Sequence, residues 1–386
     1  MFTLNNTECS TKITIISSNK FDTWYKNQSQ YLKNWCSSCN FKGQSQKTIL
    51  VPYEDGRLNQ ILIGEGEDCN LSGLAAFSKE SRGNYYLERK YADSKLNDLY
   101  IAWLWGSYNY KKSSKISKSL LYIDNKAELI KYEVIHKATS FARDLINEPA
   151  NLLTPINFKK MVFKNEQFKN CHLSVIKSSE LKKIYPLTFE VGKASDNSPL
   201  ALEISNTKIN KNDNPIVIIG KGVTFDTGGL NLKPGNSMRY MKKDMGGAAI
   251  AIALFLIIKT FLKNTKIKLI IPVAENSVSS NAMRPGDVLT AYNNKTIEIT
   301  NTDAEGRLLL ADALIRTKEL APKLIIDFAT LTGSARAALG EDLPAYYTNN
   351  NQLAKYLKQN MFGKKIVVGM GAGSISSWIK ELPKLM

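Results

Sequence analysis

A repeated alternation in the second half of the chain most limits what it can fold into. Three short apolar runs, residues 215–219, 266–273 and 323–328, are separated by two long stretches of helical periodicity, 246–262 and 304–320. Strand–helix–strand–helix–strand order implies a largely parallel sheet covered by helices on both faces. Sheets of this kind bind ligands beyond the carboxyl ends of their strands. Four loops are therefore singled out: 220–245, 275–287, 301–307 and 329–333.

The chain has 386 residues, and at ~100–200 residues per domain that length predicts two domains. Residues 1–125 mix alternating stretches (48–52, 60–64) with turn signals, and are expected to form a smaller N-terminal α/β domain. From 127 to 147 the apolar residues Leu129, Ile130, Val134, Ile135, Ala138 and Phe141 recur at helical spacing until Pro149 stops them, so 126–150 reads as a linking helix. Residues 151–386 are expected to form a second, larger α/β domain with a largely parallel central sheet.

The five cysteines are odd in number, and the opening residues lack a basic-then-apolar leader, which makes the cytoplasm the default compartment. Cys36 and Cys39 form a single CxxC without a second pair at zinc-site spacing, and read as reduced structural thiols. The longest apolar run, 248–258, is about half of the ~20 residues a membrane span needs, and reads as a buried helix. A formal charge of +17 favours acidic partners. The lysines are scattered, however, and no nucleic-acid-binding motif accompanies them, so neither a nucleic acid nor a membrane is the expected partner.

Glycines in the loop Gly220-Lys-Gly-Val-Thr-Phe-Asp-Thr-Gly-Gly229 do not fit a phosphate-binding fingerprint: Walker spacing is absent, and Phe225 stands where a dinucleotide motif needs glycine. The acids are more informative. Asp226, Asp244, Asp303 and Glu305 all fall in loops at one sheet edge, where like charges repel unless cations neutralise them. Hard oxygen ligands in this number suit two divalent ions, and Asp303 and Glu305, two residues apart, can aim both carboxylates to one side of an extended segment. Asp244 has a rival role as a cap on the helix beginning near Gly246. Lys221, Lys233 and Arg307 share the same loops.

The blocks 220–235, 241–249 (Met-Lys-Lys-Asp-Met-Gly-Gly-Ala-Ala), 284–289 (Arg-Pro-Gly-Asp-Val-Leu), 301–314 (beginning Asn-Thr-Asp-Ala-Glu-Gly-Arg-Leu) and 327–334 resemble, in order and spacing, the signatures of the cytosolic leucyl aminopeptidase family of two-metal exopeptidases. The resemblance runs from about residue 140 to 340, and 142–149 is similar to the end of the family's interdomain helix. It implies that Lys221, Asp226, Asp244 and Glu305 hold one metal and that Asp226, Asp303 and Glu305 hold the other. The ions implied are Mn²⁺ or Zn²⁺, with Mg²⁺ or Co²⁺ also compatible. A lysine can serve in such a set only as the neutral amine, with the dication replacing its proton.

The same resemblance implies that Lys233 stays cationic and stabilises the oxyanion, and that Arg307 anchors a bicarbonate acting as general base. Met241, Thr330 and Gly333 match positions lining the first side-chain pocket, and the Leu331 backbone carbonyl matches a position that receives the substrate amine. His136 and His172 lie outside these loops and are expected to be structural. Peptides would be the substrates, and a homohexamer the assembly.

After Gly340 the sequence departs from the family pattern. Residues 347–365 are rich in Asn and Lys, and 369–386 give a shortened echo of the family's closing segment, which puts the pocket wall and the oligomer contacts in question. Two other readings stay open: a remnant or scaffold that keeps the fold without turnover, and a basic nucleic-acid binder, which a steep loss of affinity with salt would reveal.

Overall fold

A computed structural model describes residues 1–4, 10–88, 91–110, 118–210, 212–340, 345–349 and 352. Met1–Ala329 form one compact unit and Thr330–Met386 a second. The first unit opens with β1 (Phe2–Thr3), β2 (Thr11–Ser17), α1 (Phe21–Lys26), α2 (Gln30–Ser38), β3 (Thr48–Pro52), β4 (Leu58–Gly66), α3 (Ser72–Glu80), β5 (Arg82–Leu87), α4 (Asp93–Ser107) and β6 (Lys118–Tyr122). The strands make one sheet in the order β1-β6-β5-β2-β4-β3, parallel except for the β3–β4 pair.

Because successive strand residues face opposite sides, this sheet feeds two cores. Ile13, Ile15, Ile61 and Ile63 pack with Leu99 and Trp103 of α4. Ile16 and Leu62 pack with Phe21, Leu32 and Phe41 on the other side.

Helix α5 (Lys126–Asn147) follows, its start capped by Asn125, whose side chain accepts from Ala127 and Glu128 N–H. The helix serves two cores: Tyr132 packs beneath the first sheet, whereas Ala138, Phe141 and Leu145 pack beneath the second. The expected helix is thus present, but Ile130 is exposed and Tyr132, which the apolar pattern passed over, is fully buried. Tyrosine hides a large apolar ring behind one polar atom.

The second sheet contains β7 (His172–Lys177), β8 (Leu200–Ser205), β9 (Ile216–Gly220), β10 (Gly222–Asp226), β11 (Ile267–Asn276) and β14 (Leu324–Phe328), with β12 (Val288–Thr290) and β13 (Thr296–Glu298) forming a separate hairpin. The helices between and before them are α6 (Pro155–Lys164), α7 (Ser178–Ile184), α8 (Pro186–Gly192), α9 (Gly235–Met238), α10 (Gly246–Phe261) and α11 (Gly306–Thr317). The order is β14-β9-β11-β8-β7, with β10 also beside β11. Strands β14, β9, β10 and β11 are parallel, while β8 and β7 add an antiparallel flank. Ile218, Leu269 and Ile271 face α5, α6 and α10; Val217, Ile219 and Ile270 face the α7 and α11 side.

Helix α10 lies at the centre of the first of these layers, with Ala248, Ala249, Ala251, Ile252 and Phe255 fully buried. By length and composition the stretch Met241–Phe261 could cross a membrane, yet 61% of its most apolar window is inside the fold. Burial of each large aliphatic or aromatic side chain here contributes ~1.5–3 kcal/mol. Gly247 permits the close approach, because a Cβ there would collide with the carbonyl of Phe328 at the end of β14.

Residues 222–226, expected to be loop, form β10, which continues β9 along β11 after a break at Lys221. A bulge between Val223 and Phe225 shifts the register by one residue, so that Asp226 pairs with Asn276. Since side chains alternate with period two, such a shift changes the face on which everything beyond it projects.

In the second unit, α12 (Gly333–Leu339) is capped by Thr332, whose hydroxyl accepts from Ser334 N–H. The closing echo of the family pattern, residues 369–386, lies outside the described residues, as does most of 347–365.

Candidate metal centre

The register of the second sheet sets the geometry. Phe328 of β14 lies beside Gly220 of β9, and the next residue, Lys221, donates its backbone N–H to the Phe328 carbonyl at 3.0 Å. Its own carbonyl accepts from Ala248 N–H in the first turn of α10, again at 3.0 Å. Lys221 is therefore fixed at both ends of its peptide unit, and its side chain runs inward, only 2% exposed. The Nζ lies 2.8 Å from Asp244 Oδ2 and 3.0 Å from Glu305 Oε1.

Asp244 sits in a short 3₁₀ turn, Met241–Met245, immediately before α10, and is buried. It does not cap that helix, whose N-cap residue is Met245 and which has no side-chain cap. Glu305 precedes α11 and is buried, and its Oε2 has no hydrogen-bond partner among the described residues. Asp226 ends β10, with Oδ1 accepting from Gly228 N–H and the Asn276 side-chain amide, each at 2.8 Å.

Asp226, Asp244 and Glu305 offer carboxylate oxygens that all lie within 4.8 Å of one another. Burial pushes the Glu305 carboxyl up to about 7; Asp226 and Asp244 push the same way, and the Lys221 ammonium opposes them. Burial would depress the Lys221 ammonium, but Asp244 and Glu305 outweigh it and hold that ammonium above its ordinary value.

Asp303 stands on the outer side, with its side chain 32% exposed, and is held by Lys233. The Lys233 Nζ bridges Asp303 and Asp226 Oδ2, the latter at 2.8 Å. Burial acts to depress Lys233, but hydrogen bonds from Asp226 and Asp303 and their charges raise it well above the usual lysine value. Arg307 is exposed on the first turn of α11 and makes no ion pair among the described residues. Met241 is half-buried at the start of the 3₁₀ turn. Thr330, Leu331 and Gly333 belong to the second unit, where Leu331 is 44% exposed and Gly333 begins α12.

Sequence reasoning missed a neutral scaffold behind these acids. Asn276 gives a second amide hydrogen to the Thr302 carbonyl at 3.1 Å. The Thr302 hydroxyl donates to the Gly228 carbonyl at 2.7 Å and accepts from Asn231 N–H at 2.8 Å, and Asn231 Oδ1 accepts from Thr302 N–H. Three separate loops are stitched together by amides and one hydroxyl. The sequence signal was one of position: Asn231, Asn276 and Thr302 all fall in loops singled out at the sheet edge.

His136 lies half-buried on α5, where burial pushes it down to about 4, and His172 is exposed on β7. Neither joins the acidic cluster. Cys36, Cys39, Cys69 and Cys171 are free thiols.

Buried carboxylates and the buried Lys221 amine thus gather at the carboxyl ends of parallel strands, the place where α/β sheets hold ligands. Residues 140–364 match the family described as cytosol aminopeptidase family, catalytic domain, and residues 11–123 match the M17 aminopeptidase N-terminal domain. The chain belongs to the cytosol aminopeptidase family.

A probable cytosol aminopeptidase of Phytoplasma australiense is 33% identical over 348 residues, which is 82% of this chain and 70% of that one. Its counterpart in Legionella pneumophila (strain Corby) is 37% identical over 254 residues, 65% of this chain and 52% of that one, so the match spans only about half of that relative. Among solved structures, the cytosol aminopeptidase of Coxiella burnetii superposes with a TM-score of 0.84 at 32% identity, covering 93% of this chain and 79% of that one. The bottromycin maturation enzyme BotP in complex with Mn superposes at 0.79 with 25% identity, over 95% and 82% of the two chains.

Proposed function

We propose that this chain is a two-metal aminopeptidase that removes N-terminal amino acids, leucine-type residues foremost, from peptides. The observation that carries this reading is the buried cluster of Asp226, Asp244 and Glu305, in which Glu305 Oε2 has no hydrogen-bond partner among the described residues. A buried carboxylate oxygen without a donor is costly, and a cation is the partner that suits it. The donor set fits: Lys221, Asp226, Asp244 and Glu305 would hold one ion, and Asp226, Asp303 and Glu305 the other. All are hard oxygen donors except the lysine amine, which suits Mn²⁺, Zn²⁺, Mg²⁺ or Co²⁺. A Mn complex of the neighbouring BotP supports the choice.

Two such ions, when bound, supply Lewis acidity, lowering the pKa of a water molecule and polarising the scissile carbonyl. The protein does the rest. Lys233, held cationic by Asp226 and Asp303, can turn its ammonium toward the oxyanion that forms as the carbonyl is attacked. Arg307, exposed and unpaired among the described residues, presents a planar fork matched to bicarbonate, the general base assigned here. By the family resemblance the Leu331 carbonyl matches a position that receives the free α-amine of the peptide, and Met241, Thr330 and Gly333 match positions lining the pocket for the first side chain. The cytoplasm and a homohexamer complete the reading: relatives bear the name cytosol aminopeptidase, and the hexamer comes from the family resemblance alone.

Hydrolysis of an aminoacyl reporter, with leucine compared against other residues, tests the proposal in the presence of Mn²⁺ and after chelation. Metal-dependent release of the N-terminal residue is expected. A chain that takes up Mn²⁺ yet cleaves no unblocked peptide would overturn it.

A further inference from the structure

Gly306, the residue after Glu305 and the first of α11, has a neighbour unlike that of an ordinary helix-start glycine. A Cβ built on it would lie 2.5 Å from Lys221 Cε, 2.8 Å from Nζ and 2.9 Å from Cδ. Non-bonded carbons settle at ~3.5–4.0 Å. The Lys221 stem therefore crosses directly over the bare α-carbon of Gly306.

Among the described residues, the three atoms nearest to that Cβ all belong to Lys221. The φ of Gly306 is not in the left-handed region, unlike that of Gly228 or Gly229, so the backbone would accept alanine. Alanine is also the better helix former. Lys221 has little room to move aside, being 2% exposed with Nζ 2.8 Å from Asp244 and 3.0 Å from Glu305. Its backbone N–H and carbonyl are both bonded, so any adjustment falls on the last atoms of the side chain.

We propose that Gly306 is a positioning residue: the absence of a side chain there sets where the Lys221 amine sits between Asp244 and Glu305. A methyl group on Gly306 displaces that amine while leaving the fold intact. The metal-binding consequence rests on the aminopeptidase reading above; the steric coupling between the two residues does not.

The test is a double-mutant cycle on the full chain, with Mn²⁺ titrated calorimetrically and thermal melting followed in chelator. Gly306→Ala is expected to melt cooperatively and to bind Mn²⁺ at least tenfold more weakly than the parent. In a Lys221→Ala background the same methyl should change the affinity less than twofold. Gly235→Ala adds a methyl at the start of α9 with no atom within 4 Å, and should leave melting unchanged. Equal Mn²⁺ binding by parent and Gly306→Ala, or an equal loss in both backgrounds, overturns the proposal.

A parent chain that takes up no Mn²⁺ removes the metal reading, and the melting cycle then decides: additive effects of the two substitutions overturn the coupling, and non-additive effects support it. Should Lys221→Ala not fold, a crystal structure of Gly306→Ala decides directly. Lys221 Nζ moved beyond ion-pair distance of Asp244 or Glu305 supports the assignment, and Nζ in its parental place refutes it.

Discussion

Asn276 donates one amide hydrogen to Asp226 Oδ1 at 2.8 Å, across the last register pair of β10 and β11. With its other hydrogen on the Thr302 carbonyl, this neutral side chain fixes both the orientation of Asp226 and the turn that carries Asp303. Groups that orient ligands in this way are typically worth ~10–100-fold in metal affinity. Asn276→Ala should weaken Mn²⁺ binding by about that factor, measured by calorimetric titration. An unchanged affinity would mean that the β-bulge alone aims Asp226.

Glu305→Gln should abolish peptide hydrolysis. Glu305 is assigned to both ions, and an amide brings no negative charge to either. Reporter cleavage at the parental rate by protein with full metal content would remove Glu305 from the centre.

Lys233→Ala should behave differently. Its assigned role lies with the oxyanion, so metal content by elemental analysis should hold while turnover falls by ~10²–10³, the usual effect of losing one such contact, ~2.7–4 kcal/mol. If metal is lost and turnover per bound metal is kept, the lysine belongs to the binding set.

Asp312 offers a pH test away from the metal residues. It lies fully buried on α11, its Oδ2 accepts from the N–H and hydroxyl of Thr188 on α8, and its Oδ1 has no hydrogen-bond partner among the described residues. Burial pushes its carboxyl up to about 7, against the bonds from Thr188 and Leu187. A carboxyl raised by folding keeps a proton that the unfolded chain releases, so its contribution is full below the ordinary value of 3.8 and is lost as pH climbs toward about 7. Asp312→Asn should therefore flatten the fall in urea midpoint between pH 5 and 8 and leave the variant more stable than the parent at pH 8. A slope unchanged by the substitution would place that titration elsewhere.

The parts legible from sequence were those with strong local signals. Apolar runs located β9, β11 and β14, and the acidic loop residues could be assigned to one sheet edge because parallel strands share their carboxyl ends. Harder to see was β10: a bulge at Val223–Phe225 is a matter of pairing with β11, which no local pattern encodes. The role of Asp244 was ambiguous for a related reason. Acids just before helices usually cap them, and only the buried Lys221 at 2.8 Å turns this one inward. Asn276 and Thr302 were passed over because a neutral amide and a hydroxyl show their value only once their partners are placed. In the N-terminal domain the mixture of helices and strands was legible, but not the order of its sheet, which depends on crossovers between distant segments.

Helix α10 and the turn before it are together apolar enough to pass for a membrane span, and two of the strands that shield the helix, β11 and β14, come later in the sequence. During synthesis the helix leaves the ribosome before β14 has been made. At ~5–20 residues per second, a greasy segment thus stays uncovered on the nascent chain for several seconds, available to chaperones and to the machinery that sorts proteins into membranes. The close packing that gives the finished centre its rigid floor makes the unfinished chain depend on whatever protects it until β14 has been made.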